Sequence, residues 1–208
     1  MFKGEVPAVI LSGGQSRRMN RSDKAFSSIL GKTLIEIVVD RIQRQTQHVA
    51  INTNSNSLKY IQHGLPILND QIGGFLGPLA GIFTAMKWAN DMGHKEVMTV
   101  AVDTPLFPKN LLEELFQKME KSNCDIVFAA SVSDYKQKKI LHPVFGLWKT
   151  YLLEDLRDEL KKGVRKVTLW SERHKASSVC FSDERIDPFF NVNTPDDIVL
   201  LREYLTEK

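Results

Sequence analysis

Cysteine is scarce in this chain: Cys124 and Cys180 are the only two in 208 residues, and they lie far apart. No Cys-x-x-Cys pair or Cys/His spacing of the zinc type accompanies them, which argues against a structural zinc site. Both are expected as small buried hydrophobes at strand positions, in a reducing compartment. Apolar runs of about 18 residues are absent, so no transmembrane segment is expected. The opening Met1-Phe2-Lys3-Gly4-Glu5 lacks the apolar region of a signal peptide, and the expected location is the cytoplasm. Charge of one sign is not concentrated either. The formal net charge is +3, with no long block of like charges, which argues against a nucleic-acid partner. The small basic group Lys136, Lys138 and Lys139 reads as a solvated loop. Two familiar phosphate-loop signatures are also missing: no Gly-Lys-Ser/Thr follows the first glycines, and no G-x-G-x-x-G occurs.

What remains is an ordinary globular composition, 42% apolar and 25% charged, in a chain long enough for one sizeable core. Strand and helix patterns alternate. Strands are predicted at 6–11, 48–52, 65–68, 96–102 and 125–130. Helices are predicted at 33–44, opened by a Thr33-x-x-Glu36 capping box, at 78–90 with Pro78 in its first turn, and at 108–120. Near-continuous apolar strands separated by helices imply a mostly parallel sheet covered on both faces. After residue 131 the rhythm changes. A polar loop or hairpin (131–139), a strand (140–148), a helix (151–161), a short helix (164–170) and a strand (178–181) follow. A last helix is capped by Thr194, with Pro195 at its first position and Asp196 and Asp197 in its first turn. No linker divides the chain. The expected architecture is a single-domain, three-layer α/β/α sandwich. Residues 1–130 form a first half and residues 131–208 a second.

Ligands of open parallel sheets bind beyond the carboxyl ends of the strands. Polar residues gather at four such ends: Ser12-Gly13-Gly14 after Leu11, then Asn52, Asn69-Asp70, and Asp103. The first loop continues through Arg17, Arg18 and Lys24. A plain turn would account for the glycines but not for three cations, whereas a triphosphate would account for both: backbone N–H groups approach its oxygens and the cations offset its charge. Asp103, just beyond a fully apolar strand and ahead of Thr104-Pro105, is suited to Mg²⁺, which takes one or two carboxylates plus substrate phosphates. A second glycine-rich loop, 73–81, leads into a helix and serves either close ligand approach or close helix packing. His142-Pro143 interrupts an apolar strand, and proline there points to an edge or a bulge. Asn191 and Asn193 share one face of an extended segment and are placed either to bind a polar ring or to assist the metal, or else to serve the turn.

In this order, Leu11-Ser12-Gly13-Gly14 with Arg17-Arg18-Met19, Asp23-Lys24, Gly77-Pro78-Leu79-Ala80-Gly81, Asp103-Thr104-Pro105, His142-Pro143 and Asn191-Val192-Asn193-Thr194-Pro195 resemble the molybdenum cofactor guanylyltransferase family. The resemblance spans residues 11–195. It implies a Rossmann-like nucleotidyltransferase fold that binds GTP through Leu11, Ser12, Gly13, Gly14, Lys24, Asn52, Asp70 and Asp103. It implies Mg²⁺ on Asp103, with Arg17, Lys24 and Asp103 as catalytic groups, and molybdopterin held near Asn191 and Asn193. Molybdoenzymes or cofactor-assembly proteins are the implied protein partners. Ser12 stands where the family usually has Ala, and Asn20-Arg21-Ser22 replaces a glycine-rich stretch. A cytidylyltransferase or a sugar-phosphate nucleotidyltransferase would share the first loop and Asp103. A non-catalytic delivery module would keep the loop without the acid. An assembly subunit using Phe75-Leu76 and Phe189-Phe190 is a further alternative.

Overall fold

The strands alternate their side chains between two hydrophobic layers, and that alternation sets the architecture. The computed structural model describes residues 5–13, 24–55, 58–73, 77–133, 138–182 and 186–206. In β1 (Ala8–Leu11), Ala8 and Ile10 enter one core and Val9 and Leu11 the other. The same division holds for β4 (Val49–Asn52), β6 (Glu96–Ala101) and β7 (Ile126–Ser133), as the period-2 geometry of strands requires. With β5 (Ile67–Leu68), β8 (Lys138–Lys149) and β9 (Ala176–Phe181), these form a seven-stranded sheet in the order β5-β4-β1-β6-β8-β7-β9.

One face is covered by α1 (Leu34–Ile42) and α4 (Leu111–Ser122), the other by α3 (Pro78–Asp91), α5 (Leu153–Lys161) and α6 (Val167–Ser171). The three-layer α/β/α expectation is met. Leu34, Ile35, Val38, Val39 and Ile42 of α1 are all buried, each worth about 1.5–3 kcal/mol of apolar burial. The Thr33–Glu36 capping box forms as read: the Thr33 N–H donates to Glu36 Oε2 at 2.6 Å and the Glu36 N–H to Thr33 Oγ1 at 3.4 Å. A third, smaller cluster packs α7 (Pro195–Thr206) through Leu201 against Val192, Leu106, Ile29 and Leu34.

Several details depart from the sequence reading. Cys124 is buried but precedes its strand rather than lying on it. Cys180 is exposed, because β9 is an edge strand paired only with β7. Helix α4 begins at Leu111 instead of 108. Side chains from α1 and the turn after it take the preceding carbonyls: Arg41 donates to the Leu106 and Phe107 carbonyls and Gln45 to that of Pro108. A small hairpin, β2 (Ser28–Ile29) and β3 (Lys32–Thr33), turns through Leu30 at φ 50° and Gly31 at φ 82°. A short helix, α2 (Leu58–Ile61), also goes unread. Finally, β8 runs antiparallel to both β6 and β7. Phe128 faces Gly146 while Ala129 faces His142, so Pro143, Val144 and Phe145 bulge from the ladder. Pro143 marks a bulge, in an internal strand.

Candidate active site at the carboxyl edge of the sheet

Strands β1, β4, β5 and β6 are parallel and end at one edge, and the polar residues named above collect there. Lys24 opens a single 3-10 turn, Lys24–Phe26, and its ammonium reaches across to β6. Its Nζ lies 3.0 Å from Asp103 Oδ2, 2.8 Å from Asn193 Oδ1 and 3.3 Å from Asn191 Oδ1. An ammonium has three N–H donors, and these oxygens match them. Asp103 and Lys24 are both partly shielded, with side-chain exposures of 28% and 14%, so their attraction is less screened than that of a surface pair.

The segment bearing the two asparagines is fixed at both ends of its course. The Val192 N–H donates to the Asp103 carbonyl at 2.8 Å, and Val192 itself is fully buried. The N–H groups of Asn193 and Thr194 each donate to Asp197 Oδ2 at 2.7 Å. Burial alone would raise the Asp197 carboxyl pKa. The hydrogen bonds from Asn193 and Thr194, with nearby Lys24, outweigh it and hold the group below the usual carboxylate value. Thr194 caps α7 as expected, its Oγ1 accepting from the Asp197 N–H at 3.3 Å.

On the other side of the mouth, Asn52 is 3% exposed and donates to Asp70 Oδ1 at 2.9 Å and to the Leu68 carbonyl at 3.1 Å. Asn54 donates to Asp70 Oδ2 at 2.8 Å, so the Asp70 carboxylate is held by two amides. Leu11 and Asn52 lie beneath α3 at Gly81. A Cβ at that position would meet Asn52 Oδ1 at 2.7 Å and Leu11 Cδ2 at 3.1 Å. For Gly81, then, close packing accounts for the glycine. Gly77 caps the same helix at φ 68°, a backbone region that favours glycine.

The structure revises one element of the phosphate-loop reading. The Ser12 N–H donates to the Asn52 carbonyl at 2.8 Å, extending the sheet, and so is not free for a phosphate. Its hydroxyl lies 2.7 Å from the Tyr60 hydroxyl, which ties the loop to α2. A Cβ added at Gly13, by contrast, would meet nothing within 4 Å among the described residues. Gly14 and Arg17 lie outside the described residues, as do Phe75 and Leu76 of the second glycine-rich loop. Phe189, the other half of the assembly-surface alternative, is core: it is 5% exposed and packs on His142, Phe145 and Phe181. Sequence reasoning missed Tyr60 and Asn54, and read Asp197 only as a first-turn acid of the last helix. Tyr60 had no local signal, whereas Asp197 stands three residues after Thr194, the capping-box spacing. Among the described residues no three His, Cys, Asp or Glu side chains cluster to hold a metal. No helix there is long and apolar enough to cross a membrane.

The MobA-like NTP transferase domain matches residues 8–176. The chain belongs to this family. The chain is 37% identical over 203 residues to the molybdenum cofactor guanylyltransferase of Shewanella amazonensis, covering 97% of this chain and 98% of that protein. Against the enzyme of the same name from Bradyrhizobium sp., it is 35% identical over 196 residues, covering 93% and 90%. Among solved structures, molybdopterin-guanine dinucleotide biosynthesis protein A from Archaeoglobus fulgidus superposes with TM-score 0.75 at 22% identity, over 98% of this chain and 100% of that one. A 2-C-methyl-D-erythritol 4-phosphate cytidylyltransferase from Thermus thermophilus superposes with TM-score 0.72 at 14% identity, over 97% and 99%. The transferase fold is therefore shared by enzymes whose names specify different bases, and the fold alone does not choose the nucleotide.

Proposed function

We propose that the chain is a nucleotidyltransferase that moves GMP from GTP onto the terminal phosphate of molybdopterin and releases pyrophosphate. The observation that carries this reading is the meeting of Lys24, Asp103, Asn191 and Asn193 at one sheet edge, in a chain 35–37% identical to named guanylyltransferases over nearly its full length. A terminal phosphate oxygen of the acceptor forms a bond to the α-phosphorus of GTP. The α–β bridging P–O bond breaks, and its electron pair leaves with pyrophosphate. The nucleophile is already ionised, so no general base is needed. Positioning and charge neutralisation supply the catalysis.

In this reading Leu11, Ser12, Gly13, Gly14, Asn52 and Asp70 bind the nucleotide, and Gly13 rather than Ser12 offers its N–H to phosphate. Arg17 and Lys24 offset charge on the transferring and departing phosphates. Asn191 and Asn193 face the acceptor. Residues 1–130 form the nucleotide half and 131–208 the acceptor half, with Lys24 and the two amides at their seam. The single acid Asp103 fits Mg²⁺, which needs few protein carboxylates when substrate phosphates complete its shell. Bound there, Mg²⁺ would supply Lewis-acid polarisation of phosphoryl oxygens. Molybdoenzymes and cofactor-assembly proteins are the protein partners this role entails.

The test is pyrophosphate release and dinucleotide formation with GTP, CTP or UTP, with and without Mg²⁺ and molybdopterin. GTP- and Mg²⁺-dependent transfer is expected, with Lys24→Ala and Asp103→Ala losing most turnover while remaining folded. Preference for CTP would make the chain a cytidylyltransferase. Nucleotide binding without transfer would leave a delivery module.

A further inference from the structure

His142, Ser131 and Asp187 form a hydrogen-bonded chain that the transfer reaction does not itself use. We infer that this chain positions the strap 187–193, and through it the Asn191 and Asn193 amides, for transfer. The inference rests on the proposed transferase reading.

The strap begins at Asp187 and ends on Lys24. At its start, Asp187 Oδ1 accepts the Phe189 N–H at 2.8 Å and the Asp187 carbonyl accepts the Phe190 N–H at 2.9 Å. Asp187 Oδ2 accepts the Ser131 hydroxyl at 3.2 Å. Ser131, 3% exposed near the end of β7, has only one proton to give. Because that proton goes to a carboxylate, which can only accept, the 2.8 Å contact between Ser131 Oγ and His142 Nε2 must be donated by the ring. The direction of the chain is thereby fixed: His142 Nε2–H to Ser131, Ser131 O–H to Asp187.

The bulge at Pro143, Val144 and Phe145 sets the register that pairs His142 with Ala129, two residues from Ser131. The His142 ring stacks on Phe189 at 4.2 Å between centroids. Phe189 is thus gripped on its backbone by Asp187 and on its ring by His142, and three residues later Val192 donates to the Asp103 carbonyl. Register along the strap therefore passes from His142 to the two amides on Lys24. These three are positioning residues, since none contacts Lys24 or Asp103 among the contacts described.

The experiment exploits the two ring nitrogens. A glutamine amide nitrogen reaches the place of Nε2, whereas an asparagine amide nitrogen reaches only that of Nδ1. His142→Gln, His142→Asn and Ser131→Ala are compared with wild type for GTP affinity, acceptor KM and kcat. The Asn191 and Asn193 side-chain amide signals are followed in ¹H–¹⁵N NMR spectra. His142→Asn and Ser131→Ala are expected to lose at least about tenfold in kcat over acceptor KM, because small misplacements of a positioned group carry penalties of that size. GTP affinity is expected to stay unchanged, and His142→Gln to stay within about threefold of wild type. A merely steric role would treat Gln and Asn alike, and that result overturns the inference. So would a fall in GTP affinity equal to the fall in kcat. If wild type shows no transfer, the proposed function fails, and the NMR arm then decides: amide signals that move in His142→Asn and Ser131→Ala but not in His142→Gln uphold the positioning role, and signals that stay put refute it.

Discussion

Replacing Gly81 by alanine sets two opposing effects against each other. Gly81 is interior to α3, where alanine gains about 1 kcal/mol in helix propensity. The added Cβ, however, would lie 2.7 Å from Asn52 Oδ1 and 3.1 Å from Leu11 Cδ2. The amide cannot swing aside freely, because its Nδ2 is bonded to Asp70 and to the Leu68 carbonyl. Breaking those two bonds costs about 1 kcal/mol each, and pushing α3 off the sheet instead costs about 1–3 kcal/mol. Breaking the two bonds leaves a net loss of about 1 kcal/mol after the propensity gain, and the middle of the range for displacing α3 leaves the same. Gly81→Ala should be less stable by about 1 kcal/mol, lowering the melting temperature by roughly 2–4 °C in a chain of this size. Because Asn52 and Asp70 are the groups disturbed, GTP affinity measured by titration calorimetry should fall as well. A variant as stable as wild type, with unchanged GTP affinity, would refute the packing argument and return the second glycine-rich loop to the ligand.

Three further outcomes follow from the interior. Thr99 Oγ1 accepts the Trp148 indole N–H at 2.9 Å and donates to the Val144 carbonyl at 2.6 Å, so Thr99→Val orphans both and should cost about 2–3 kcal/mol in urea unfolding. Thr33→Ala removes the α1 cap and should cost about 1 kcal/mol. The backbone and hydroxyl of Thr33 hold the Glu36 carboxyl below its usual value, so this stabilisation is complete above the ordinary carboxyl range. It fades as pH falls through the lower folded value, and Thr33→Ala, which removes the hydroxyl but keeps the larger backbone bond, should flatten part of the acid limb of a stability-versus-pH curve. Burial lowers the His142 pKa, against the opposing pull of Asp187. The unfolded chain therefore takes up the proton first, and stability should decline as pH drops below the usual histidine value of 6.5, a decline that His142→Gln abolishes.

Local chemistry was legible in the sequence wherever it was self-contained. The Thr33–Glu36 box, Pro78 at a helix start and Thr194 before Pro195 each specify an element boundary through contacts only a few residues apart. The strand-end rule likewise brought Ser12, Asn52, Asp70 and Asp103 to one edge, because parallel strands share a direction. What escaped depends on distant partners. The start of α4 is set by Arg41 of α1 and by Gln45 in the turn after that helix. The β2–β3 hairpin turns on Leu30-Gly31 rather than on the Asn-Gly pair that announces such turns. The reversed direction of β8 and the exposure of Cys180 follow from strand order, which periodicity does not encode. His142 carried no signal in the sequence beyond its place in an apolar strand. Its ring packs on Phe189, and its bond to Ser131 joins residues from different strands.

Lys24 is bonded to side chains 167 and 169 positions later in the chain. Scaffold and reaction centre therefore mature at different moments of synthesis. The last strand of the sheet closes at Phe181, before the strap exists, so a ribosome can have delivered every strand while the lysine still lacks both its amides. A protease cut just beyond that strand would spare one large hydrophobic layer, take only Phe189 from the other, and strip the mouth of its final wall, leaving a shell without a working centre.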